Sequence, residues 1–380
     1  MITEASAGGS AEATGTDASP ARPPHQRIEF LDGLRGLAAS LVLIGHVADR
    51  ICVNVGAPAI DRALDYVGFG RIGVVAFFCI SGFVIPFSFR EPDAVRNFAI
   101  SRFFRLYPAY WLSLAVFLPL GAALGRSVPA TQIAANLTMA QAAMGQADVI
   151  HVYWTLFYEL VFYLLCAIAF ALGWLKSARA VLLIVSLLAL AAAASAVLHY
   201  IGFRYRPPLG LPAYLSIMFF GTACRFAFLK REAFAQRWLA PLLVILAMMV
   251  SAVAFLGYAN QALPDRPLAD FLGVYLGIGL FLVAFRCKAL LARPVMVWLG
   301  RISYSLYLMQ VACVLAGVAL AAQLPSGTAK LAVLLATIPF SLLVADLCAR
   351  FVEKPAIALG KAIIRRGRRA PIYEGIDPAP

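Results

Sequence analysis

Apolar residues gather in runs long enough to cross a hydrocarbon core, roughly 20 residues at a helical rise, and these runs recur along almost the whole chain after the first few dozen positions. They predict about ten spans, over residues 30–48, 68–88, 105–125, 152–174, 179–200, 209–229, 238–257, 268–286, 295–321 and 330–352. The breaks between them carry turn chemistry and charge, as in Arg90-Glu-Pro-Asp93, Arg204-Tyr-Arg-Pro-Pro208 and Leu263-Pro-Asp-Arg-Pro267. None of them is long enough for a folded soluble domain. The pattern therefore predicts an all-α, polytopic transmembrane helical bundle.

Composition sharpens this. Of 380 residues, 62% are hydrophobic and only 13% charged, which excludes an ordinary soluble domain of that length. The net charge of +13 could suggest nucleic acid, but the basic residues are spread among the breaks rather than gathered on one patch, so no nucleic-acid partner is expected. Placed on the ten-span topology with the N-terminus inside, 22 of the 32 Lys and Arg fall on the cytoplasmic side and seven on the other, with three in or at the edge of spans. That asymmetry predicts an inner-membrane protein with both termini cytoplasmic. Residues 1–26, rich in Ala, Gly, Ser, Thr and Pro and without the marks of a signal peptide, read as a disordered cytoplasmic tail. Residues 357–380 read as a basic cytoplasmic tail, either a topology anchor or a contact with anionic membrane lipids. The seven cysteines are scattered without metal-ligand or redox spacing and read as small buried hydrophobes; no metal site is expected.

Against this apolar background each intramembrane charge is a functional candidate, because it costs at least about 2.5 kcal/mol even on a lenient insertion scale. The first span concentrates them. Asp32 and Arg35 sit one turn apart, and His46 follows eleven residues after Arg35, about three turns, so all three share one helical face. The rise separates Arg35 from His46 by ~16 Å, which puts the arginine near the cytoplasmic mouth and the histidine in the outer half. Two readings stand for each: an ion pair at a helix start or a tuned site for Asp32 and Arg35, an interfacial or a functional histidine for His46. The fourth span adds Glu159, on the order of 12 Å below His151. It has no cation nearby in sequence, and His46 is the expected partner from another span.

The cytoplasmic end of the third span carries Arg102 and Arg105 on one face with Phe103, Phe104 and Tyr107 around them. Such a pair can clamp phosphate oxygens while an aromatic stacks on a base, though arginines at an inner helix end are also what topology alone provides. In the second span Ser81-Gly82 reads as a close-packing step rather than a catalytic one. The ninth opens with a dense polar stripe, Gly300 to Gln310, that lines either a helix interface or a cavity.

In this order the segments closely resemble the acyltransferase type 3 family of bacterial integral-membrane O-acyltransferases, over nearly all of residues 27–356. The resemblance rests on Phe30-Leu-Asp-Gly-Leu-Arg-Gly36 with His46 after a ten-residue gap from Arg35, and on Phe77-Phe-Cys-Ile-Ser-Gly-Phe83. It rests equally on Arg102-Phe-Phe-Arg105, Trp154-Thr-Leu-Phe-Tyr-Glu159, Gly300-Arg-Ile-Ser-Tyr-Ser-Leu-Tyr-Leu308 and Phe351-Val-Glu-Lys-Pro355. It implies an enzyme that takes an acyl group, most often acetyl, from cytoplasmic acyl-CoA to a hydroxyl of a sugar, glycan or glycolipid. CoA phosphates would meet Arg102 and Arg105, with Tyr107 beside them. His46 would act as general base or transient acyl carrier, and Asp32, Arg35 and Glu159 would tune or orient it. Acyl-CoA is then a substrate, and no permanently bound cofactor is implied. Relatives often carry Trp-His where this chain has Met309-Gln310, so a second histidine at that place is missing. A secondary transporter is the reading from another class, since it too would hold a histidine and a carboxylate at membrane depth.

Overall fold

The structure, a computed structural model, describes residues 29–55, 67–89, 93–203, 208–259 and 266–367. The tail 1–26, residues 368–380 of the basic tail, and most of the quoted breaks at 90–92, 204–207 and 260–265 lie outside the described residues. Within them the chain is all helix: α1 (Glu29–Val55), α2 (Phe69–Val84), α3 (Ala94–Ala123), α4 (Ala130–Leu137), α5 (Trp154–Ala171), α6 (Ala178–Tyr200) and α7 (Gly210–Phe228). There follow α8 (Ala233–Ala252), α9 (Arg266–Ala284), α10 (Lys288–Leu291), α11 (Pro294–Ala322), α12 (Gly327–Cys348) and α13 (Lys354–Gly367). Among the described residues nine helical segments are long and apolar enough to cross a membrane, and the apolar part of α9, Phe271–Ala284, is a shorter tenth. The chain is an integral membrane protein.

Two boundaries differ from the hydropathy reading. The third span was expected from residue 105, yet α3 begins at Ala94, so Arg102 and Arg105 stand two to three turns inside the helix rather than at its start. Hydropathy marks where a helix meets lipid, not where its backbone begins, and residues 94–104 are too polar to register. Instead of lipid, this extension meets α13, where Phe104 lies against Gly360 and Arg96 against Gly367. For the same reason the basic tail expected from 357 is helical to Gly367. It runs on from α12 through a π-helical turn, Ala349–Glu353. We call the end of the bundle where α3 begins and α13 lies the basic end.

Packing centres on α1 against α11 and α2 against α7. Both contacts are backbone to backbone, and glycines allow them. A β-carbon on Gly300 would strike the carbonyl of Asp32, and one on Gly36 would come within 2.6 Å of Leu299 Cβ. Gly82 faces the carbonyl of Met218, and Gly221 faces that of Cys79. With no hydrophobic gain from meeting another helix in lipid, such close approach is what holds spans together. Gly82→Val should therefore force α2 and α7 apart, costing at least the ~1–3 kcal/mol of ordinary overpacking, read as a lowered melting temperature in detergent. Six of the seven cysteines are buried and none is bridged; Cys287 is exposed.

Candidate active site

Between α1, α2, α3, α5 and α11, toward the basic end, lies a cavity with about 730 Å³ of empty space, open solvent at its mouth included. Arg35, Arg102, Arg105 and Glu159 line it, with Ser81, Thr155, Tyr163, Ser303, Tyr304 and Tyr307. Arg35 enters because Gly33 and Gly36 bring α1 close to the α10–α11 segment, at Leu291 and Leu299, on the same stretch of helix that carries Asp32. The Arg35 guanidinium lies 3.5 Å from Asp32, which is itself buried.

The two arginines of α3 have different surroundings. Arg105 pairs with Glu353 at 3.2 Å, and the other oxygen of that buried carboxylate accepts a hydrogen bond from Ser305 at 2.8 Å. Arg102 lies beside the rings of Phe98 and Tyr163, at 5.5 and 5.9 Å, and its buried Nε has no hydrogen-bond partner. A buried donor left without an acceptor is uncommon enough to mark a place where an anionic ligand atom fits.

Glu159 is not the partner of His46. It accepts hydrogen bonds from Tyr163 at 2.6 Å and Ser81 at 3.4 Å and lies in the arginine-lined cavity. The expected place beside His46 in the outer half is therefore corrected: Glu159 shares the cavity of Arg35, Arg102 and Arg105, cations that two helices, α1 and α3, supply. What a single span could not show is which helix presents the charge. His46 instead meets His151, with Nε2 to Nε2 at 3.1 Å and ring centroids 4.9 Å apart. Above the cavity, Tyr307 donates to the carbonyl of Val152 at 3.0 Å and lies 2.8 Å from the Thr155 hydroxyl, so these side chains stand between the arginines and the histidine pair.

Tyr107 is absent from the cavity lining. Its hydroxyl donates to the carbonyl of Thr138 and its ring stacks on Phe103, with Trp111 also against it. It helps fix the connection between α3 and α5, where Asn136 bonds to Ala147 and Val149. In that connection burial pushes the Asp148 carboxyl above its ordinary range, against the lowering effect of a hydrogen bond from Gln141.

The polar stripe of α11 serves both purposes left open by the sequence. Ser303, Tyr304 and Tyr307 face the cavity, whereas Ser305 holds Glu353 at a helix interface. Ser81 is likewise a packing neighbour of Gly82 and a donor to Glu159. Sequence reasoning assigned no role to Glu353 or to His151 as a partner of His46. The first was visible as an acidic residue closing the last span, the second as a histidine opening the fourth.

A polytopic helical bundle with arginines and carboxylates converging on an intramembrane cavity, and a histidine pair beyond it, has the form of a membrane group-transfer protein. A family model described as "Acyltransferase domain" matches residues 28–350, and the chain belongs to that family. It is 33% identical over 91 residues to "Acyltransferase MdmB" of Streptomyces mycarofaciens, a match covering 24% of this chain and 23% of that protein. No solved structure matches.

Proposed function

We propose that the chain is a membrane O-acyltransferase that moves an acyl group, in the simplest case acetyl, from acyl-CoA to a hydroxyl of a carbohydrate or glycolipid. The observation that carries this reading is the arginine-lined cavity near the basic end, with the buried Nε of Arg102 lacking an acceptor. A phosphate oxygen of CoA would complete it, and Arg35 would stand in the same cavity. The basic end is the cytoplasmic one on the 22-to-7 distribution of Lys and Arg, which places both termini in the cytoplasm of an inner-membrane protein. There the donor is at hand. The basic residues of α13 then lie at the anionic headgroups of that leaflet.

His46 is the acceptor-side base. The thioester end of the donor would pass Thr155 and Tyr307 to reach it, about one turn below the level of His151. Asp32 holds Arg35, and Glu159, through Tyr163 and Ser81, sets the charge balance of the donor cavity.

The test joins two measurements. Proteoliposomes holding the chain should release CoA thiol from acetyl-CoA when the acceptor glycan is supplied. Mass spectrometry of surface glycans from cells lacking the chain should show one sugar without one acyl group. No thiol release and unchanged glycans would overturn the proposal. Orientation has its own check: a C-terminal reporter active only outside the cytoplasm should stay silent, and a bright signal would reverse the assignment of the basic end.

A further inference from the structure

We infer that His151 is a positioning residue for His46: it accepts the Nε2–H of His46 and so holds the lone pair of His46 on Nδ1, the atom that takes the acceptor's proton. The inference rests on the proposed role of His46 as base and deepens it.

The two Nε2 atoms are 3.1 Å apart, a hydrogen-bond distance, with the rings edge to face at 78°. Two imidazoles facing through like nitrogens bond only if one carries its proton there and the other does not. Two arrangements satisfy this, and the surroundings choose between them. His46 Nδ1 is buried and has no hydrogen-bond partner. If it carried a proton, a buried N–H would be stranded, and His46 would offer no base inside the protein. With the proton on Nε2, donated to His151, Nδ1 is an unprotonated acceptor where an incoming hydroxyl would find its only complement. His151 is exposed, so its own Nδ1–H can be met by water at the end of the bundle opposite the basic one. An imidazole whose tautomer is fixed through its far nitrogen is the usual way to make the near one a directed base.

The step balances. The acceptor hydroxyl gives its proton to His46 Nδ1 as its oxygen bonds to the acyl carbon. The carbon–sulfur bond of the thioester breaks and sulfur leaves as thiolate, which takes a proton from water. His46 then gives the proton on Nδ1 to water in the site, so its Nε2–H stays donated to His151 and the Nδ1 lone pair is restored. One hydroxyl and one thioester become one ester and one thiol.

Three variants and one spectrum test this, on the full-length chain in nanodiscs with acetyl-CoA and the acceptor glycan. His151→Ala should lower kcat about 10- to 100-fold, the range for losing a partner that orients a site ligand or base, with KM for acetyl-CoA unchanged. His151→Gln keeps an accepting oxygen in reach and should recover most of that loss, which a purely steric role would not provide. The chain has four histidines, so ¹⁵N-imidazole spectra are tractable; His46 should show the Nε2–H form in the parent and a mixture of tautomers in His151→Ala. If His46→Ala still transfers acyl groups, the base assignment and this inference fall together. If His46→Ala is inert but His151→Ala turns over normally, or His151→Gln is no better than alanine, the inference alone is overturned.

Discussion

His46→Ala should leave a monodisperse protein that still binds CoA and yet transfers nothing, because a positioned general base accounts for about 100- to 10,000-fold in rate. Folding should be little affected: His46 is only half buried, its one hydrogen bond is to an exposed residue, and the helix around it is held by neighbours such as Leu43 and Val47. His46→Gln sharpens the result, since it keeps volume and some hydrogen bonding but cannot accept a proton near neutral pH, and should be as inactive as alanine. Glu159→Gln should behave differently. Its carboxylate bonds to Tyr163 and Ser81 in the donor cavity, so the variant should change the concentration of acyl-CoA needed rather than the state of the imidazole. Near-normal transfer by His46→Ala at normal expression would remove the base from the mechanism and return a transporter reading to contention.

Much of this architecture is legible in the sequence because lipid imposes one rule, that spans be long and apolar, and the ten runs obey it. Glycines in the motifs around Asp32, Ser81 and Gly300 mark where backbones meet, as Gly36, Gly82 and Gly300 do. The separation of Arg35 from His46 along α1 also follows from helical rise alone. What rise cannot give is azimuth. Glu159 and His46 were placed in the same outer half, yet Glu159 turns to Tyr163 and the arginines while His46 meets His151. Tyr107 fails for a similar reason. Two residues beyond Arg105 its side chain has turned away from the cavity, to Thr138. Glu353 was hidden because its helix continues past the membrane into α13, so a span-end glutamate is in fact enclosed against α3 and α11.

That enclosure makes the two arginines of α3, alike in the sequence, unlike in consequence. Arg102→Ala should weaken acyl-CoA binding by about 10- to 150-fold, the loss of a charge-assisted contact worth ~1.5–3 kcal/mol, with little change in melting temperature. The reason is that its buried Nε has no acceptor among the described residues, so at that atom the free protein loses no hydrogen bond, and what it does lose is confined to the contacts with Phe98 and Tyr163. Arg105→Ala should chiefly damage the fold. Glu353 is only 3% exposed, and without Arg105 its carboxylate would keep Ser305 but lose its cation. Stranding a fully buried charge costs about 3–5 kcal/mol; here the loss should be on the order of 2–3, because the Arg105 side chain is 35% exposed and water can reach it. The double variant Arg105→Gln with Glu353→Gln should then melt well above Arg105→Ala, since neither partner remains charged and Ser305 retains an accepting oxygen. Isothermal titration with CoA and a thermal shift series on the same preparations separate the two effects. Normal CoA affinity in Arg102→Ala would move the phosphates elsewhere, and an Arg105→Ala variant as stable as the parent would show that the pair with Glu353 does not hold α12 and α13 to α3.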